Sequence, residues 1–297
     1  MKVKLLHTTG QGYFEETTWD KPEPKYNEIE VKALMTGVCR SDVDMMMGDF
    51  GPLPLNMQGH EGLGQVTKVG GNITGVKVGD IVATRGEPAY ADYYNVRNKE
   101  FVLVPEADPK YILEPVACGI NVILQPLELI KAKVSPRILI LGSGFLAWVA
   151  YHAIKLNQIQ PSEIVVVGSN NKELWGNLLS LEYNGTFDIV IDLSNRTDVF
   201  DKPIVNNEAL VIFGAQKTVT TDFSNLLWKA CTMVFPSPRT DKFHWAMIVA
   251  ESWIRHGVLN TKDFWTKSYD RDTEWQQAFE DGKNRPEKYS RGYIKWA

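Results

Sequence analysis

Three cysteines, Cys39, Cys118 and Cys231, are all that this 297-residue chain contains. They are odd in number and far apart, so they do not form the disulfide framework of a small secreted domain. They read instead as reduced thiols, and a cytoplasmic setting is expected. No run approaches the ~20 apolar residues of a membrane-spanning helix. The stretch Met1-Lys2-Val3-Lys4-Leu5-Leu6 turns polar too soon for a secretory signal. An excess of positive charge is also missing. The formal net charge is −4, which argues against partnership with nucleic acid or a membrane surface. Internal repeats and low-complexity segments are absent too. The remaining composition, 44% hydrophobic and 23% charged, is that of an ordinary globular chain long enough for two domains.

Residues 1–105 read as mostly β. The runs Lys2–His7, Glu28–Met35, Gly64–Val69, Asp80–Ala83 and Phe101–Val104 are separated by Gly, Pro and Asn turns. They predict a barrel-like or sandwich-like unit. Ile112–Leu124 has helical spacing. The pattern changes at Pro136: Arg137–Leu141 is a continuous apolar strand, Phe145–Leu156 a helix and Glu163–Val167 the next strand. Phe187–Leu193 and Ala209–Phe213 follow as further strands. Strands alternating with helices predict a doubly wound parallel sheet. Trp245–His256 and Thr273–Gly282 read as helices and Gly292–Lys295 as a last strand. The expected fold class is α/β plus β. Only residues 168–186 separate the second and third strands of the parallel sheet. A βαβ crossover takes about a dozen residues or more, so one helix fits there and an intervening strand is not expected.

Two groups of residues carry chemistry. Cys39, His60 and Glu61 offer a thiolate, an imidazole and a carboxylate, the ligand types of a catalytic zinc. Glycines crowd this region in Gly59-His60-Glu61-Gly62-Leu63-Gly64. The second group is Gly142-x-Gly144-x-x-Ala147, which follows a strand and opens a helix at Phe145 and Leu146. Gly142 permits the tight turn, Gly144 the approach of a pyrophosphate and Ala147 close helix–strand packing. The helix N-terminus favours the negative charge. A metal site and a dinucleotide site together imply hydride transfer between a nicotinamide and an alcohol or carbonyl.

The long pattern G-H-E-x2-G-x5-G, from Gly59 to Gly70 and with Ile73 beyond it, resembles the signature of the zinc-dependent alcohol dehydrogenases of the medium-chain dehydrogenase/reductase superfamily. Gly37-Val38-Cys39-Arg40-Ser41-Asp42 resembles the family's G-x-C-x-[ST]-D. Gly75-Val76-Lys77-Val78-Gly79-Asp80 resembles its G-x-K-V-G-D turn. Leu113-Glu114-Pro115-Val116-Ala117-Cys118 is similar to a segment of the polyol and sorbitol dehydrogenase branch, and Thr221–Lys229 to a late family segment.

The resemblance implies a GroES-like catalytic domain, residues 1–123 and 236–297, and a Rossmann domain, residues 124–235. It implies one catalytic Zn2+ per chain on Cys39 and His60, with the adjacent Glu61 a ligand or a close neighbour of the ligands, Glu114 as the fourth, exchangeable ligand and Cys118 as its rival. Ser41 matches the relay hydroxyl beside the substrate oxygen. The relay histidine of many members is replaced by Asp44. Arg40 matches an arginine that reaches the pyrophosphate. The family's structural zinc lobe needs four closely spaced cysteines, so a shortened form without it is expected.

The end of the second sheet strand bears on the cofactor. An NAD enzyme places an acidic residue there to hold the ribose 2′-OH. This chain has Gly168, followed by Ser169, Asn170, Asn171 and Lys172. With no carboxylate to repel a 2′-phosphate, NADP is favoured over NAD.

The expected function is a zinc-dependent oxidoreductase acting on a small alcohol or polyol, or on the matching carbonyl, as a homo-oligomer, dimer or tetramer. Two alternatives stand beside it: a zinc-free quinone or enone reductase of the same superfamily, and a non-catalytic NADP(H)-binding regulatory protein. Met45, Met46, Met47, Phe50 and Tyr94 line an apolar pocket or belong to the core.

Overall fold

The computed structural model describes residues 1–215 and 220–296. Two units form: Met1–Pro115 with the segment from Met247 onward, and Val116–Ala246. The chain runs through β1 (Lys2–His7), β2 (Glu15–Asp20), β3 (Glu28–Val38), α1 (Arg40–Met46), β4 (Gly62–Val69), β5 (Ile81–Thr84), β6 (Tyr93–Arg97) and β7 (Phe101–Leu103). Helix α2 (Glu114–Leu124) crosses from the first unit into the second. There follow α3 (Leu127–Lys131), β8 (Arg137–Leu141), α4 (Phe145–Leu156), β9 (Glu163–Val167), α5 (Lys172–Trp175), β10 (Leu179–Ser180) and β11 (Phe187–Asp192). Then come α6 (Asp198–Asp201), β12 (Val205–Phe213), α7 (Ser224–Trp228) and β13 (Thr232–Val234). Helix α8 (Phe243–Arg255) leads back, and β14 (Trp265–Asp270), α9 (Trp275–Asn284) and β15 (Arg291–Lys295) complete the first unit.

In the first unit, β14, β15, β3, β4, β5 and β7 form one sheet in that order, with β6 also paired to β3. Strands β1 and β2 make a separate antiparallel pair. The core gathers Leu5, Leu6, Ile29, Val31, Tyr90, Tyr94, Phe279 and Ile294. Met45 and Met46 are buried as well, so together with Tyr94 they belong to the packing; Met47 and Phe50 are exposed. Strand β2, Glu15-Glu16-Thr17-Thr18-Trp19-Asp20, was not legible in the sequence. It is mostly solvent-facing and so lacks the apolar alternation that marks a strand.

The second unit is a six-stranded sheet in the order β10-β9-β8-β11-β12-β13, parallel throughout. Strands β8, β11 and the second half of β12 are nearly continuous buried apolar runs, as parallel strands covered on both faces must be. Strand order reverses between β8 and β11, which is where doubly wound sheets open a crevice at their carboxyl ends. One expectation is corrected here: a strand does fit between Val167 and Phe187. Strand β10 pairs with β9, Leu179 with Val166 and Ser180 with Val167. The crossover is compressed into the single turn α5 and a 3-10 turn at Gly176–Leu178. That compression leaves room for a two-residue strand.

Candidate functional site

Cys39 and His60 meet because β3 and β4 are antiparallel neighbours. Thr36 pairs with Gly62, so the end of one strand lies beside the start of the other. Cys39 follows β3 and caps α1; His60 and Glu61 immediately precede β4. Strand β15 flanks β3 on its other side, with Gly292 opposite Val38, which carries Arg291 to the same end. Ligand atoms of Cys39, His60 and Glu61 all lie within 4.8 Å of one another. Atoms bound at ~2.0–2.3 Å to a tetrahedral zinc stand roughly 3.5 Å apart. The trio is therefore a side-chain adjustment away from that geometry, and a thiolate, an imidazole and a carboxylate suit the metal.

The surroundings of the trio are built with care for charge. Glu61 is fully buried, and both of its oxygens accept from Arg291 Nη2 at 2.5 Å. Burial works against the Arg291 charge, but Glu61 and Cys39 outweigh it and hold the guanidinium firmly ionised. A Cβ at Gly37 would stand 2.0 Å from Glu61 Oε2, so only glycine admits this ion pair. Asp42 is also buried. Its Oδ2 accepts the Cys39 backbone N–H at 2.8 Å and the Tyr90 hydroxyl at 2.7 Å, and its Oδ1 lies 3.7 Å from His60 Nδ1. Burial pulls the His60 imidazole down. Asp42, Cys39 and Glu114 more than offset it and raise His60 well above its ordinary value.

Glu114 begins α2 and is buried. It lies outside the group of three, yet its charge reaches His60. Cys118, half-buried, follows it by four residues and shares its helix face. Ser41 and Asp44 are half-buried on α1 and, three residues apart, also share a face. Asp44 Oδ1 accepts from Arg40 Nε at 2.9 Å, so the expected relay carboxylate and the expected pyrophosphate arginine are paired with each other.

In the second unit, Gly142, Ser143 and Gly144 turn the chain from β8 into α4. Gly142 has φ +117, and a Cβ there would stand 2.9 Å from Leu193 O. A Cβ at Gly144, the N-cap of α4, would meet nothing within 4 Å. The turn thus has an open surface where a pyrophosphate requires one. Phe145 and Ala147 are buried in the first turn of α4, while Leu146 is half-buried. Gly168 is packed against the turn: a Cβ would stand 2.3 Å from Ser143 Oγ. A carboxylate side chain at 168 is excluded for that reason. Ser169 and Asn170, just beyond, are exposed.

Arg291, Asp42 and Trp175 escaped the sequence reading. Asp42 alone left a signal there, as the last residue of Cys39-Arg40-Ser41-Asp42, at the position where a carboxylate caps a helix.

Residues 25–106 match the alcohol dehydrogenase GroES-like domain. The chain is 30% identical to an alcohol dehydrogenase of Moraxella sp. (strain TAE123) over 181 residues, 50% of this chain and 53% of that protein. It therefore spans about half the length of that relative. Among solved structures, L-idonate 5-dehydrogenase of Escherichia coli K-12 superposes with a TM-score of 0.79 at 18% identity, covering 100% of this chain and 99% of that one. An alcohol dehydrogenase of E. coli CFT073, complexed with NADH, gives a TM-score of 0.79 at 15% identity, with 99% of each chain covered.

Proposed function

We propose that this chain, which matches the alcohol dehydrogenase GroES-like domain over residues 25–106, is an oxidoreductase of the medium-chain alcohol and polyol dehydrogenase type that interconverts an alcohol or polyol and its carbonyl, using one catalytic zinc and a nicotinamide dinucleotide. The observation that carries this reading is the Cys39–His60–Glu61 cluster. In the reading, Cys39, His60 and Glu114 hold the metal, and Glu61 stands beside it, held by Arg291. When bound, the zinc supplies a Lewis acid for the substrate oxygen and the nicotinamide exchanges the hydride.

The protein's own part is positional and protonic. Asp42 holds Cys39 through its backbone N–H and sets a carboxylate charge 3.7 Å from His60, a second layer of support of the kind that tunes metal ligands. The Ser41 hydroxyl takes the alcohol proton, and Asp44 on the same face of α1 is its next acceptor. Gly142 and Gly144 present backbone N–H groups at the start of α4 to the pyrophosphate.

The ribose end supports NADP over NAD, because Gly168 cannot be an acidic residue and Ser169, Asn170 and Lys172 offer hydrogen-bond donors. Titration calorimetry checks this: NADP+ is expected to bind more tightly than NAD+. Equal or reversed affinity overturns the preference and leaves the fold-level reading standing.

The raised His60 makes metal uptake proton-coupled. A zinc ligand must be a neutral imidazole and a thiolate, so binding expels protons. Affinity for zinc is therefore expected to fall as the pH falls. Calorimetry at pH 7 in buffers of different ionisation enthalpy is expected to show net proton release, and none would contradict the assignment of His60.

We also infer a homo-oligomer. Among the described residues strand β13 is an edge of the parallel sheet, and near it in the chain Leu227 is 72% exposed, Trp228 84% and Phe235 65%, apolar side chains of the kind that a second copy would cover. No helix among the described residues is long and apolar enough to cross a membrane. The three free cysteines support a reducing, cytoplasmic setting.

A further inference from the structure

The crossover between β9 and β10 does more than connect two strands: it folds onto the glycine turn. Three hydrogen bonds converge on Ser143. The Asn170 backbone N–H donates to Ser143 Oγ at 3.0 Å. The Asn171 side-chain amide donates to Ser143 O at 2.9 Å, and the Trp175 indole N–H donates to the same carbonyl at 3.0 Å. Ser143 is buried, and so is Trp175. The Trp175 ring packs edge-on against Trp148 at 5.1 Å and Tyr151 at 5.5 Å, both on α4. One side chain therefore grips both the turn and the helix that the turn opens.

The consequence follows from peptide geometry. A trans peptide is planar, and its C=O and N–H point in opposite directions. Holding the Ser143 carbonyl toward Trp175 and Asn171 fixes the Ser143–Gly144 peptide plane. It thereby aims the Gly144 N–H the other way, away from Trp175 and Asn171. If that plane rotated, the carbonyl oxygen would face an incoming pyrophosphate and repel it. Gly144 has no Cβ to restrain the plane, so the restraint must come from outside the turn.

Resting on the nicotinamide-binding reading above, we propose that Trp175, with Asn171, is a positioning residue for the dinucleotide: it sets the affinity for the pyrophosphate without touching it. The short crossover is what makes this possible, because the single turn α5 brings Trp175 down onto Ser143.

Trp175→Phe keeps the ring and removes only the N–H. It is expected to weaken NADP+ binding about three- to tenfold, the worth of one hydrogen bond. Asn171→Ala removes the second donor and is expected to do the same. Adenosine 2′-phosphate, which has the ribose phosphate but no pyrophosphate, should bind wild type and both variants equally well. The measurement is titration calorimetry of each protein with both ligands, beside zinc content and a thermal midpoint. Wild type that binds neither NADP+ nor NAD+ would sink the nicotinamide reading itself. Wild type that binds NADP+ while both variants match it would overturn the positioning role alone. Equal losses for NADP+ and adenosine 2′-phosphate would also overturn it, since they would mean general damage to the unit.

Discussion

Replacing Cys39 by alanine is expected to remove both the zinc and the activity. Purified wild type should hold about one zinc ion per chain, and Cys39→Ala close to none. The reason lies in how few groups are available. Among the described residues, one group of three combines a thiol, an imidazole and a carboxylate within 4.8 Å, and its carboxylate is already engaged by Arg291. Without the Cys39 sulfur, His60 and Glu114 are the two ligands of the reading that remain, too few for a tetrahedral site. Elemental mass spectrometry of both proteins, with carbonyl reduction by NADPH measured in parallel, checks the prediction. Zinc retained in the variant would move the metal elsewhere. Absence of zinc from both, even after supplementation, would favour the zinc-free reductase. Dinucleotide binding with no turnover on a broad carbonyl panel would favour the regulatory reading.

The second large effect concerns stability. Arg291→Met is expected to destabilise the protein by about 3–5 kcal/mol, the usual cost of stranding one member of a buried ion pair. Glu61 has no exposure, and the guanidinium that faces it is itself largely enclosed. Removing the arginine leaves an ionised carboxylate without water and without a partner. The double variant Glu61→Gln, Arg291→Met places a neutral amide in that space and should regain part of the loss. Urea unfolding of wild type, single and double variants decides the matter. If the single variant fell within about 1 kcal/mol of wild type, in the range of an exposed pair, the buried pair would not hold this end of the sheet together. The geometry makes the stakes clear, because Arg291 starts β15 and Glu61 precedes β4, on opposite sides of β3.

Much of the fold was legible in the sequence, and the physical reason is periodicity. Arg137–Leu141, Phe145–Leu156 and Glu163–Val167 have the bounds the sequence predicted, because a strand covered on both faces or a helix covered on most of its surface advertises itself as an apolar run. Strand β2 was silent because its sequence is almost wholly polar, and β6 because its alternation, with Tyr94 and Val96 buried, spans only five residues. Strand β10 was silent for a different reason. Two residues carry no periodicity at all, and its existence depends on how tightly 168–178 fold.

The candidate site divides in the same way. Residue types with a chemical role, Cys39, His60, Glu61, Gly142 and Gly144, could be singled out from sequence because their chemistry and glycine context are local. The sequence by itself determined the donor atoms on offer, the turn that a pyrophosphate needs, and the absence of a carboxylate at 168. Only the tertiary structure decided how those donors are used. It paired Glu61 with Arg291, set Asp42 against His60, tied Asp44 to Arg40, and brought Trp175 onto Ser143. Each of these contacts depends on strand register or on the path of a crossover. Such contacts join residues that periodicity and spacing cannot link, since the partner is chosen by the sheet and not by the neighbouring chain.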